Sequence, residues 1–225
     1  ICAFSLNAQT TTGGSDVLLL STDADVNTKS EVLVAKNGMM YVVVATNDEG
    51  NTAFNIFCSK DYGENYQLLN TVTPSEDGAT FADIDVYVSG EYDAEIVLWV
   101  AKAINNADGS GTILLDQYNN DGEFLDNAYE QNYPNTTMVS VGIDGNDRSY
   151  NDLNSIGVAY SCYTEEESKL GYFYALNIGS VFNHKWIYTV DESDYFGKLD
   201  IAIGIEQGIF PYMGVVFETN PALHL

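Results

Sequence analysis

The sequence predicts an all-β fold, a β-propeller of four-stranded antiparallel blades, and three observations carry that expectation. Helical periodicity is almost absent, while short runs rich in Val, Ile, Tyr and Phe alternate with clusters of Asn, Asp, Gly and Ser. A unit recurs as EVLVAKNGMMYVVVAT from Glu31, DIDVYVSGEYDAEIVLWVAK from Asp83, MVSVGIDGNDRSYNDLNSIGVAYSC from Met138 and LDIAIGIEQGIFPYMGVVFET from Leu199. With Val43, Leu98, Val158 and Val215 taken as equivalent centres, the spacings are 55, 60 and 57 residues. The second strand of each unit is apolar almost without interruption, as a strand covered on both faces must be.

The elements follow in order. The opening ICAFSLNAQ reads as the apolar end of a secretory signal with a cleavage point near Ala8 or Gln9, which assigns residues 1–9 to a leader and 10–225 to the propeller. DVLLLST, residues 16–22, is a strand suited to closing the ring against the last blade. Blades are expected over 31–73, 81–130 and 137–190, with an incomplete one over 198–225. Their outer strands are AFNIFCS and NYQLLNTV, then GTILLDQY and EFLDNAY, then KLGYFYALNI and HKWIYTV. About three and a half blades are thus in view. A ring of four to eight blades needs residues beyond these, so this reading makes the chain part of a longer protein.

Composition excludes several functions. Eight Lys and Arg against 33 Asp and Glu give a formal charge of −25, which repels phosphate backbones and removes nucleic acid from the expected partners. No apolar run is long enough to span a membrane as a helix. Cys58 and Cys162 lack the close spacing of a disulfide framework and are expected as separate, mostly buried thiols. His184 and His224 are isolated in sequence, and no His/Cys pattern has zinc spacing.

One motif is specific. Ser59-Lys60-Asp61-Tyr62-Gly63-Glu64-Asn65-Tyr66 falls between the third and fourth strands of the first blade. Ser59, Asp61, Gly63 and Tyr66 suit a tight turn: the carboxylate accepts backbone amides, glycine tolerates positive φ, and the ring anchors the outer strand. The octapeptide resembles an Asp-box, the bacterial neuraminidase repeat of sialidases and other secreted propellers. In the second blade YNNDGEFL keeps Gly122 but puts Tyr118 at the Ser position and Asn120 at the Asp position, and the third blade keeps only Trp186. The resemblance implies a secreted or cell-surface bacterial protein. A sialidase would bring three arginines around a sugar carboxylate, and Arg148 is the single arginine of the chain. A binding or scaffold module for an extracellular glycan or protein is therefore expected, with a glycoside hydrolase whose catalytic groups lie mostly in further blades as the alternative.

The resemblance places the Asp-box turns away from the ligand face, which the opposite loops build. Glu76, Asp77, Tyr133, Asp191, Asp194 and Tyr195 are the ligand-binding candidates there, beside Phe196 and the acidic run Glu165 to Glu167. Carboxylates and rings of this kind suit neutral sugars or cationic groups. No motif requires a cofactor. A long turn carrying Asp144, Asn146, Asp147 and Asp152 has the oxygen donors for Ca2+, and solvation satisfies such a turn equally.

Overall fold

A computed structural model describes residues 2–6, 17–22, 27–47, 52–74, 76–91, 95–146, 155–175, 181–191, 194–206 and 210–221. No α-helix occurs among them. Three four-stranded antiparallel sheets follow one another along the chain. The first holds β3 (Asn27–Val34), β4 (Met40–Asn47), β5 (Ala53–Ser59) and β6 (Gln67–Val72). The second holds β7 (Thr80–Ser89), β8 (Val97–Asn105), β9 (Gly111–Asn119) and β10 (Phe124–Tyr133). The third holds β11 (Thr137–Asn146), β12 (Ser155–Tyr163), β13 (Glu167–Ala175) and β14 (Asn183–Asp191). Two-stranded sheets flank them, β1 (Cys2–Leu6) with β2 (Val17–Thr22) and β15 (Asp194–Glu206) with β16 (Phe210–Pro221).

Burial follows strand position. β4, β8 and β12 are buried nearly end to end, whereas β6 and β10 are largely exposed. The apolar second strands are therefore sandwiched between neighbouring sheets, as their composition requires. One core joins Tyr41, Val43, Phe54 and Ile56 to Ile84, Leu98 and Tyr118, and a second joins Trp99, Ile113 and Leu115 to Val141, Val158 and Phe173. Within the first of these, the buried ion pair of Lys102 and Asp116 turns its ammonium to the Phe54 ring, 5.2 Å from the centroid. Cys58 and Cys162 are free and buried, and burial pushes the Cys162 thiol up to about 12.

Side chains tie sheet to sheet. The Asn47 amide donates to Phe81 O at 2.6 Å and accepts from Phe81 N at 2.8 Å. Asn105 repeats the arrangement on Met138, at 3.2 and 2.7 Å. Carboxylates of the inner strands add three more bridges: Asp83 accepts from Val141 N at 3.2 Å, Asp85 from Ile143 N at 2.7 Å and Asp144 from Ile203 N at 2.7 Å. Gly145 is glycine because a Cβ there would stand 2.4 Å from the Tyr87 ring.

Several expectations change. The strand ends Asn47, Asn105 and Tyr163 are evenly spaced, which makes Val43 equivalent to Ala101 and not to Leu98; variable turns had hidden the register. β2 pairs with β1, and its Leu19 and Leu20 pack on Val42, Val44 and Phe57 of the first sheet. Cys2–Leu6, within the expected leader, forms strand β1, and pairing with β2 gives its backbone groups partners; the leader remains an expectation.

The turn after β5 is capped as its residues suggest. Ser59 Oγ accepts from Gly63 N at 2.8 Å and donates to Asp61 Oδ1 at 2.7 Å, and Asp61 accepts from Asn65 N at 2.9 Å and Asn65 Nδ2 at 2.7 Å. The bonds from Asn65 and Ser59 hold the Asp61 carboxyl down at about 2. Tyr62 and Gly63 both carry positive φ, 59° and 88°. In the second blade Asn119, not Tyr118, takes the place of Ser59, since its Oδ1 accepts from Asp121 N at 3.0 Å and Glu123 N at 2.9 Å. Lys60 reaches Asp121 at 3.7 Å, so the two turns adjoin on one face.

Two substitutions test this packing with opposite signs. Asn105→Ala strips Met138 of both partners and should cost about 1–3 kcal/mol in chemical denaturation. The Tyr66 hydroxyl is buried without a partner, so Tyr66→Phe should be neutral or stabilising by about 1 kcal/mol in the same measurement.

Candidate functional site

The inner strands β3, β7, β11 and β15 surround a channel cavity of about 410 Å³. Glu31, Asp83, Asp85 and Asp200 line it with Lys29, Lys198 and Ser140. Ser140 Oγ donates to Asp83 at 2.6 Å. Desolvation raises the Asp85 carboxyl to about 7, although backbone amides of Ile143 and Val86 favour its charged form. Glu31 is raised as well, first by burial and then by the charges of Asp83 and Asp200.

A second cavity, a groove of about 770 Å³, opens between the second and third blades at the end opposite the β5–β6 turn. Gly109 of the β8–β9 loop, Pro134 and Asn135 of the interblade turn, and Tyr163 to Glu167 of the β12–β13 turn line it. The loops are built to hold shape. Asn106 N donates to Ser110 O at 2.9 Å, Thr136 N to Gly109 O at 3.2 Å, and Thr164 N to Glu167 O at 2.8 Å. Asn135 adopts φ of 50°, which asparagine tolerates better than most side chains. Tyr163 is 41% exposed and stands at the strand end where the first two blades carry Asn47 and Asn105. Its blade binds its successor through serines instead: Ser161 Oγ donates to Gly197 O at 3.1 Å, and Ser168 Oγ accepts from Phe196 N at 3.2 Å.

The residues expected to bind ligand are scattered. Glu76 and Asp77 are exposed on the β6–β7 turn but line neither cavity. Tyr133 is half-buried, not a presented ring, because its hydroxyl meets Tyr160 OH at 2.5 Å and His184 Nε2 at 3.3 Å. Phe196, expected on the loop face, is fully buried against Tyr188 and Phe217. Asp191, Asp194 and Tyr195 lie in strands β14 and β15, with side chains outside the described residues. The calcium turn is corrected in part: Asp144 and Asn146 belong to strand β11, and both Asp144 oxygens accept backbone amides, from Gly145 and Ile203. Asp147 and Asp152 lie outside the described residues. Among the described residues no three His, Cys, Asp or Glu side chains gather closely enough to hold a metal.

The channel carboxylates escaped the sequence reading. A partial signal was present: Asp83, Asp85 and Asp200 interrupt apolar stretches of their strands, and Glu31 and Asp85 occupy equivalent places, paired with Val43 and Ala101.

Solved structures share this architecture. An α-L-arabinofuranosidase of Fusarium graminearum, solved with an iminosugar inhibitor, matches with a TM-score of 0.51 and 14% identity over 88% of this chain and 63% of its own. The fold is that of a β-propeller. An α-L-arabinanase of Penicillium chrysogenum, solved with arabinobiose, matches with a TM-score of 0.51 and 13% identity over 85% and 62%. The chain thus spans less than two thirds of the length of either propeller. No protein-family model and no curated protein matches the sequence. No helix among the described residues is long and apolar enough to cross a membrane.

The Asp85 shift has a measurable consequence. A carboxyl raised above its unfolded value contributes stability that is complete below about pH 4 and is lost as pH rises through about 7. Asp85→Asn should therefore raise the unfolding temperature relative to the parent at pH 8, by roughly 2–4 °C per kcal/mol recovered, and lose that advantage at pH 4. Calorimetry at the two pH values decides it.

Proposed function

We propose that this propeller is a secreted or cell-surface carbohydrate-binding module that takes a neutral glycan in the groove between its second and third blades. The groove's chemistry carries the reading. The exposed Tyr163 ring offers an apolar platform for the C–H face of a sugar, and Asn135, Glu165 and Glu166 beside it offer acceptors and donors for hydroxyls. The formal charge of −25 disfavours anionic glycans. Reading the β5–β6 turn as an Asp-box is supported by the Ser59, Asp61 and Asn65 bonds, and it puts the structural face opposite this groove. The arabinobiose-bound arabinanase makes arabinan a natural first probe.

A second reading has its own observation. Glycoside hydrolysis uses two carboxyl groups, one of them held protonated by its surroundings, and the channel holds four with Asp85 raised to about 7. On that reading the protein cleaves the glycan in the channel.

Affinity electrophoresis through linear arabinan, followed by assay of reducing ends, separates the two. Retention without sugar release supports the groove, and Tyr163→Ala should then weaken binding about tenfold, near 1.4 kcal/mol, while Asp61→Ala leaves it unchanged. Release that vanishes in Asp85→Asn supports the channel. Absence of both, repeated over a panel of neutral glycans, overturns the carbohydrate reading.

A further inference from the structure

We propose that the folded protein joins Lys102 to Asp116 by an amide bond, an internal cross-link between the two central strands of the second blade that stands apart from the glycan reading. The chain has only eight Lys and Arg, yet Lys102 interrupts the apolar run of β8 and is buried with Asp116, at 5% and 6% exposure. Register brings the two together. Lys102 is paired with Leu114 and Val100 with Asp116, so the charged residues are diagonal neighbours on one face of adjacent strands. That face carries Val100, Ile104 and Tyr118 into the core shared with the first blade, and the Phe54 ring covers the ammonium at 5.2 Å.

Amine and carboxyl group are in direct contact there, away from water. An ion pair in such surroundings gains little over its desolvation cost, and moving one proton from ammonium to carboxylate gives an uncharged amine beside a carboxylic acid. The carboxyl oxygens are held as acyl transfer requires. Asn127 Nδ2 donates to Asp116 Oδ1 at 2.8 Å, where charge develops as the carbon becomes tetrahedral, and Tyr118 OH donates to Oδ2, the leaving oxygen, at 3.4 Å. Burial and the Asp116 charge both raise the Tyr118 phenol, which keeps it a donor. The Lys102 nitrogen bonds to Asp116 Cγ and the Cγ–Oδ2 bond breaks. Oδ2 departs as water with the carboxyl proton and one nitrogen proton, leaving a single N–H on the amide. Asn127 belongs to the exposed outer strand β10, which gives that water a short way out. Free in solution such a condensation runs backwards, but neighbours fixed by strand register act at an effective concentration of about 10⁵–10⁸ M.

Mass spectrometry of the full chain, purified in the folded state, tests the bond. The expected mass is lower than the sequence mass by one water, trypsin no longer cleaves after Lys102, and tandem spectra show a branched peptide joining the Lys102 and Asp116 segments. Lys102→Arg should restore the full mass, and the parent chain carries the test by itself should that variant fail to fold. Asn127→Ala, a change on an exposed strand, should slow bond formation roughly tenfold or more, read as the cross-linked fraction of pulse-labelled chain against time. The full sequence mass with cleavage after Lys102 overturns the proposal. Loss of one water with Lys102 still cleavable, as succinimide formation at an Asp-Gly step such as Asp121-Gly122 would give, overturns it equally.

Discussion

Blades of a propeller share no hydrogen-bonded sheet, so something other than a ladder must fix each one against the next. In this protein it is the pair of bonds that a side-chain amide makes to the neighbouring inner strand. Asn47 and Asn105 each offer one donor and one acceptor, and so meet Phe81 and Met138 as a strand partner would. Apolar packing alone is non-directional and would let the sheets slide. The amide bonds, with the carboxylate bridges of Asp83, Asp85 and Asp144, set both distance and register.

Both cavities are products of that constraint. Two of the channel's four carboxylates, Asp83 and Asp85, do the bridging: one oxygen of Asp85 is engaged by Ile143 N, yet the group remains in a space where ionising it is costly. The groove arises where the pattern breaks. At the third blade the amide gives way to Tyr163, the interblade task passes to Ser161 and Ser168, and the ring is left exposed. A position relieved of a structural duty is where a ligand contact can be placed.

The repeat, the buried second strands and the first turn were legible in the sequence because each depends on local pattern. Apolar continuity marks β4, β8 and β12, and SKDYGENY closes its own hydrogen bonds within a few residues. The second-blade turn was misread by one residue because asparagine can do the work of serine there, which composition does not reveal. Phe196 looked like a loop aromatic from its acidic neighbours, yet it lies two residues inside β15 and faces Tyr188 and Phe217. Tyr133, Tyr160 and His184 could not be joined from the sequence, since only the stacking of two sheets brings together residues 24 to 51 positions apart.

Charge gives these sites different ranges of action. A surface at −25 concentrates cations within a Debye length of about 8 Å at physiological salt, and that attraction fades as salt rises. Cation capture by surface carboxylates is therefore weak in selectivity and easily screened. Hydrogen bonds closed between two blades, such as those of Tyr133 with Tyr160 and His184, are screened far less, because they form where solvent ions do not enter. The sugar binding proposed for the Tyr163 groove draws little on either effect, since a neutral glycan carries no net charge. Salt thus separates ion capture at the surface from recognition within the fold.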